Sequence, residues 1–233
     1  RSIPTYNRFE ALQRAAASVI AQAYPNIELI VVDNGSSDPE YHGADLGDGV
    51  RFIQLEENSR VRLGYATPGS ISRNSGLRVA SGSFVAFLDD DDVWLPKKIE
   101  LQLDEMERSG CEMSCTDGYI GWGPYDPSRA YPRYNAEYFI KAIRGIHRRK
   151  WSWRMERGFP KVWSRRFLEV HNSAVCSSVV LSRSVISRAG EFRPLRRGVD
   201  YDYWLRALAY TDCVYVPEPC FYYDDGHAGG QQY

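Results

Sequence analysis

The sequence predicts an α/β fold, an open and mostly parallel sheet doubly wound by helices on both faces. Three observations point there. The apolar runs at 27–32 and 83–88 are continuous rather than alternating, as expected of strands covered on both sides. Segments with helical periodicity lie between the predicted strands. Each apolar run also ends in an acidic loop, Asp33-Asn34-Gly35 and Asp89-Asp90-Asp91-Asp92, at the strand ends where such sheets bind ligands.

Arg1-Ser2-Ile3-Pro4 reads as the tail of a strand begun upstream, so the chain is expected to be a fragment. Phe9, Leu12, Ala16, Val19, Ile20 and Ala23 share one face of a helix over 8–23, which Pro25-Asn26 stops. A strand at 50–55 follows, then a helix over 70–80 closed by Ser81-Gly82 in the manner of a C-cap. Pro96 opens the next helix, which runs to Ser109. The second half is less regular. It offers strands at 112–119, 174–181 and 214–223, with one helix around 137–148. Without internal repeats or low-complexity linkers, one domain with a variable insert is the better reading.

Basic and acidic residues nearly balance, 29 against 30, which argues against a dedicated nucleic-acid binder. The five cysteines (Cys111, Cys115, Cys176, Cys213 and Cys220) include no CxxC pair and lack zinc-finger histidines. Reduced thiols in a cytosolic protein are therefore expected. No apolar run reaches the ~20 residues that a membrane span requires. The 16 Tyr and 6 Trp exceed the needs of a core, and flat rings often face sugars or bases.

Four adjacent carboxylates after a buried strand repel one another unless a cation sits among them. Hard divalent ions such as Mg²⁺ or Mn²⁺ prefer oxygen ligands and bridge carboxylates to phosphate. The alternative is a solvated acidic turn capping the next helix. The preceding apolar strand and the following Val93-Trp94-Leu95-Pro96 favour the metal.

Several blocks resemble the family 2 glycosyltransferases of GT-A fold. They are Ser2-Ile3-Pro4-Thr5-Tyr6-Asn7-Arg8, Glu28-Leu29-Ile30-Val31-Val32-Asp33-Asn34-Gly35-Ser36-Ser37-Asp38, Ser72-Arg73-Asn74-Ser75-Gly76-Leu77, Phe87 through Pro96, and Gly198-Val199-Asp200-Tyr201-Asp202-Tyr203-Trp204-Leu205-Arg206. Their succession in the expected order makes the resemblance specific. It implies a single GT-A domain over 1–233, Rossmann-like, with 1–110 binding the nucleotide sugar and 111–233 the acceptor.

The resemblance also implies roles. Such enzymes move one sugar from a nucleoside diphosphate sugar to an acceptor hydroxyl, usually with inversion, and a UDP-sugar is the favoured donor. Pro4, Thr5 and Tyr6 would lie along the base and ribose, with Asp33 and Asn34 at the base edge. Asn34 replaces an acid common in the family, but its carbonyl can still accept a base N–H. Arg73 would lie near the ribose or diphosphate, where a guanidinium offers paired donors, or else be a surface helix arginine. Asp89 and Asp90 would contact the ribose or the metal's water shell. Asp91 is the expected ligand of Mn²⁺ or Mg²⁺, His227 a second one, and Asp92 a helix-start residue. Asp200 matches the catalytic base, although Val199 stands where the family often has Glu. Asp202 is the fallback, or a partner of Arg206 at i+4.

Residues 141–166 carry ten Lys or Arg and one acid, Glu156, interleaved with Trp151, Trp153 and Trp163. Three readings stand: an acceptor-sugar surface, a peripheral contact with anionic lipid, or a solvated loop whose tryptophans complete the core. The Gln-x-x-Arg-Trp signature of processive members is absent, which implies single-sugar transfer. The acceptor is then a glycan, lipid-linked molecule or protein, and the location cytoplasmic or peripheral to a membrane. A sugar-phosphate nucleotidyltransferase and a non-catalytic carbohydrate-binding GT-A domain are the alternatives. The first usually has a Gly-rich loop where Pro4-Thr5-Tyr6-Asn7-Arg8 stands.

Overall fold

Three parallel strands open the fold in the order β1 (Ser2–Thr5), β2 (Leu29–Asp33), β3 (Val50–Gln54). The computed structural model describes residues 2–47, 49–149 and 158–227, with 147–149 and 227 described through their backbone alone. All five residues of β2 are buried, as the continuous apolar run requires. Leu29 and Val31 share a core with Ile3 and with Leu12, Ala15, Ala16 and Val19 of α1 (Phe9–Ile20). Each fully buried Leu, Ile or Val contributes roughly 1.5–3 kcal/mol of transfer free energy. The expected helix is shortened at its end. Ile20 is 55% exposed, and Gln22 instead turns inward to donate to the carbonyl of Leu95 at 2.8 Å.

The short α2 (Ser59–Leu63) precedes α3 (Ser70–Val79), whose Gly76 lets the helix lie against Ser2 of β1. A bridge from Ser2 to Phe87 joins the first sheet to the second, which runs β4 (Phe84–Ala86), β8 (Val180–Ser182), β6 (Met113–Gly121), β9 (Cys213–Asp224), β5 (Val93–Trp94). The strand β7 (Val162–Trp163) pairs with β9. Among the described residues β1–β3 and the β6–β9 pair run parallel, as does the Ser2–Phe87 bridge, while the pairings of β4, β5, β7 and β8 within this sheet are antiparallel. The sheet is thus more mixed than continuous apolar runs alone suggested.

Helix α4 (Lys98–Ser109) starts just beyond Pro96. Of the strand expected over 174–181 only the end forms, β8 beginning at Val180 after a 3₁₀ turn at Cys176–Ser178, where the Ser178 hydroxyl donates to the Val175 carbonyl at 2.7 Å. The expected helix near 137 begins as a π-helical turn, Tyr134–Phe139, and continues as α5 (Ile140–Arg149). Asp117 of β6 anchors that turn, accepting from the N–H groups of Asn135 and Ala136 and pairing with Arg133 at 3.0 Å. Further on come α6 (Arg165–Leu168), α7 (Arg183–Ala189) and α8 (Val199–Ala207).

Both hydrophobic cores draw on both halves of the chain. One joins Leu77, Val85 and Phe87 to Trp163, Tyr203 and Trp204; the other joins Ile3 and Val31 to Val180, Val214 and Phe221. Trp163 completes the core, stacked on Tyr215 at 4.8 Å, whereas Trp151 and Trp153 lie outside the described residues. Among the described residues all five cysteines are free thiols, and no helix is long and apolar enough to cross a membrane.

Candidate active site

Register places the first part of the site. Thr5 pairs with Asp33 across β1 and β2, so both strands end at one level. Asp33 is wholly buried. Its carboxylate accepts from the Ser36 hydroxyl at 2.5 Å, the Ser36 N–H at 3.0 Å and the Gln54 amide at 3.1 Å. The Thr5 hydroxyl shares a 2.7 Å hydrogen bond with Tyr41; Pro4 and Thr5 are buried and Tyr6 half-buried. Asn34 is turned into α2, donating to the Ser59 hydroxyl and accepting from the Ser59 N–H, both at 3.1 Å. Its amide thus fixes the start of α2, and it is 1% exposed.

The four aspartates after β4 have four different environments. Asp89 pairs with Arg73, which α3 delivers from beneath; the same guanidinium donates to the Pro68 carbonyl at 2.9 Å. Arg73 is 5% exposed, so it is not the surface helix arginine of the alternative reading. Asp90, fully buried, and Asp91 both pair with Arg8, at 2.5 and 2.6 Å. Burial pushes the Asp91 carboxyl up, the Arg8 charge pulls it back, and Asp89 adds a further upward push.

Asp92 departs from the expected helix-start role. Helix α4 begins six residues later, and Asp92 is buried beneath the site, accepting from the Ser177 hydroxyl at 2.5 Å and the Asp224 N–H at 3.2 Å. Burial and then the Asp91 and Asp89 charges hold its carboxyl well above the ordinary range. The mutual repulsion of the run is therefore met in part by two guanidinium groups from the chain itself.

Asp200 sits in the first turn of α8, beyond Gly198. Its carboxylate accepts from the Tyr201 N–H at 2.8 Å and from the Asn172 amide at 3.3 Å. Burial raises its pKa; the Tyr201 N–H and the Arg73 charge lower it, and Asp89 raises it. The Tyr134 phenol is raised first by burial and then by the Asp92 and Asp200 charges.

The family model for glycosyl transferase family 2 matches residues 2–172, most of the chain. The chain belongs to glycosyl transferase family 2. Among its relatives in Escherichia coli is the UDP-Glc:alpha-D-GlcNAc-diphosphoundecaprenol beta-1,3-glucosyltransferase WfgD, 39% identical over 108 residues, 45% of this chain and 39% of WfgD. A second E. coli enzyme of the same description, WfaP, is 31% identical over 51% of this chain and 45% of its own length. The chain spans under half the length of both. In structure it is similar to S. aureus TarS 1–349 in complex with UDP-GlcNAc, with a TM-score of 0.66, 15% identity, and coverage of 96% of this chain and 57% of that one. The fold is GT-A.

Of the predicted site residues, Asp89 pairs with Arg73, Asp90 and Asp91 share Arg8, and Asp200 feels the charges of Arg73 and Asp89. Asp33, Pro4, Thr5 and Tyr6 line up at the ends of β1 and β2. Asp202 pairs with Arg206 at 3.0 Å and Arg193 at 3.3 Å, the ion-pair role anticipated for it. His227 ends a 3₁₀ turn with Asp225, and its side chain lies outside the described residues. Sequence reasoning gave no role to Arg8, Ser36, Gln54, Asn172 or Ser177. Arg8 alone carried a usable signal: a fixed cation inside a recognised block, in a chain where four clustered acids need counter-charge.

The donor set suits a hard cation. Asp91 and Asp89 retain side-chain exposures of 14% and 27%, and carboxylate oxygens match Mg²⁺ or Mn²⁺. Among the described residues no three acidic, His or Cys groups converge as a cage.

Proposed function

We propose that this chain is an inverting glycosyltransferase, moving one sugar from a UDP-sugar to an acceptor hydroxyl. The observation that carries the reading is the ion pair of buried Arg73 with Asp89 within the acidic run of a family 2 chain. The printed activity of WfgD and WfaP, and the UDP-GlcNAc and UDP complexes of TarS, support the donor class. Their GlcNAc-diphosphoundecaprenol acceptors support a lipid-linked glycan as acceptor.

In this reading the ends of β1 and β2 receive the nucleoside, with Asp33 held rigid by Ser36 and Gln54. Arg73 keeps Asp89 oriented toward the ribose and diphosphate. Asp200 takes the proton of the attacking hydroxyl at a carboxylate oxygen. Its raised pKa makes it a stronger base than an ordinary Asp near pKa ~3.9. Asp91, with Asp89, would hold Mn²⁺ or Mg²⁺; when bound, the ion supplies Lewis-acid neutralisation of charge on the departing diphosphate.

The test is release of nucleoside diphosphate from a panel of sugar nucleotides, with and without Mn²⁺, in wild type and Asp91→Ala. The reading expects UDP-sugar turnover that needs the ion and falls in the variant. Metal-independent turnover, unaltered in Asp91→Ala, would sink the metal assignment.

A further inference from the structure

Arg8 is held at its backbone and forked at its tip. It is the N-cap residue of α1, its carbonyl accepting from the Leu12 N–H at 2.9 Å. Its own N–H donates to the Tyr41 hydroxyl at 2.9 Å, and Asn7 before it has a φ of 50°. Ser37 and Asp38 donate their N–H groups to the Asn7 side chain, fixing that turn. From this anchorage Nη2 reaches Asp90 Oδ1 at 2.5 Å and Nη1 reaches Asp91 Oδ2 at 2.6 Å. A guanidinium does not lose its proton in a protein, so this counter-charge is permanent.

The consequence concerns how a divalent ion can enter. An ion approaching Asp91 meets an oxygen already engaged in a short, charge-assisted bond, beside a fixed positive charge. Without donor, the two cations compete for the same carboxylates. A nucleoside diphosphate changes the balance, because its anionic oxygens give both the ion and the guanidinium a new partner. Binding of ion and donor is then linked through Arg8.

We propose that Arg8 is the resident counter-cation of the acidic run, a positioning residue that suppresses metal binding in the absence of donor and makes the two bind together. The proposal rests on the metal reading given above, and the experiment separates the two.

Mn²⁺ affinity is measured by calorimetry and by the electron paramagnetic resonance of free Mn²⁺, with and without UDP. The proteins are wild type, Arg8→Met, Arg8→Lys and Asp91→Ala, each checked for folding by its melting curve. Arg8→Met is expected to bind Mn²⁺ alone about tenfold more tightly than wild type, equivalent to ~1.4 kcal/mol. Its gain on adding UDP should shrink correspondingly. Arg8→Lys, which keeps the charge but loses the fork, should fall between the two. Unchanged Mn²⁺ affinity in both folded Arg8 variants, with binding still lost in Asp91→Ala, overturns the role of Arg8 and leaves the metal reading intact. Equal Mn²⁺ binding by wild type and Asp91→Ala in the presence of UDP overturns both.

Discussion

Arg73 holds Asp89 from inside the fold, and the space for its guanidinium exists because residue 69 has no side chain. A Cβ on Gly69 would collide with that guanidinium, and the residue also has a φ of 63°, a conformation costly for other residues. Gly69→Ala should therefore displace Arg73 while sparing the rest of α3. We expect UDP affinity to weaken about tenfold, ~1.4 kcal/mol, by calorimetry. Unchanged affinity would mean that the placement of Arg73 does not govern donor binding.

Asn34 makes a different prediction. Its side chain fixes the start of α2 through Ser59. Asn34→Ala leaves the Ser59 N–H without its acceptor, at a cost of about 1–3 kcal/mol for an unsatisfied buried group. The melting temperature should fall by roughly 2–4 °C per kcal/mol for a domain of this size. If Asn34 acted only as a base-edge contact, stability would stay level and only donor affinity would drop.

The raised pKa of Asp200 has consequences for pH. The acid limb of kcat/KM should lie above the ~3.9 of an ordinary Asp, activity being lost as pH falls through the folded-state value. For stability the sign is opposite to that of a salt-bridged carboxylate. The folded state binds the Asp200 proton more tightly than the unfolded chain, so this group favours folding below ~3.9, and that advantage disappears as pH rises through the folded pKa. At neutral pH the buried carboxylate is a net cost. Asp200→Asn should melt a few degrees higher than wild type at pH 7, the difference closing on acidification.

Asp202 serves as the internal contrast. It stands two residues from Asp200 on the same helix, yet its carboxylate is engaged by Arg206 and Arg193. Asp202→Asn should retain transfer within about threefold, with any stability loss near the ~0–1 kcal/mol typical of partly exposed ion pairs. A loss of activity comparable to that of Asp200→Asn would reassign the base.

Much of the frame was legible in the sequence because it is local. Apolar runs announced β2 and the strand before the aspartates, while helical spacing announced α1, the Ser81-Gly82 stop α3, and Pro96 α4. The partners of the site residues were not legible, because they come from distant segments. Ser177 reaches Asp92, Asn172 reaches Asp200, and Gln54 reaches Asp33 only once the sheet has assembled. Asp92 shows the difference well. Its position before a proline-led helix suggested capping, yet the intervening β5 carries it down into the core. The antiparallel strands of the second sheet were hidden for a related reason: a buried strand is apolar on both faces whichever way its neighbour runs.

The measurement that bears most directly on the central claim compares Asp200→Asn with wild type in two assays. Calorimetry reports UDP-sugar binding, and product formation reports transfer to a lipid-linked glycan acceptor. The account predicts donor affinity within about twofold of wild type and transfer reduced by ~10²–10⁴, the usual contribution of a positioned general base. Full transfer by Asp200→Asn would contradict it.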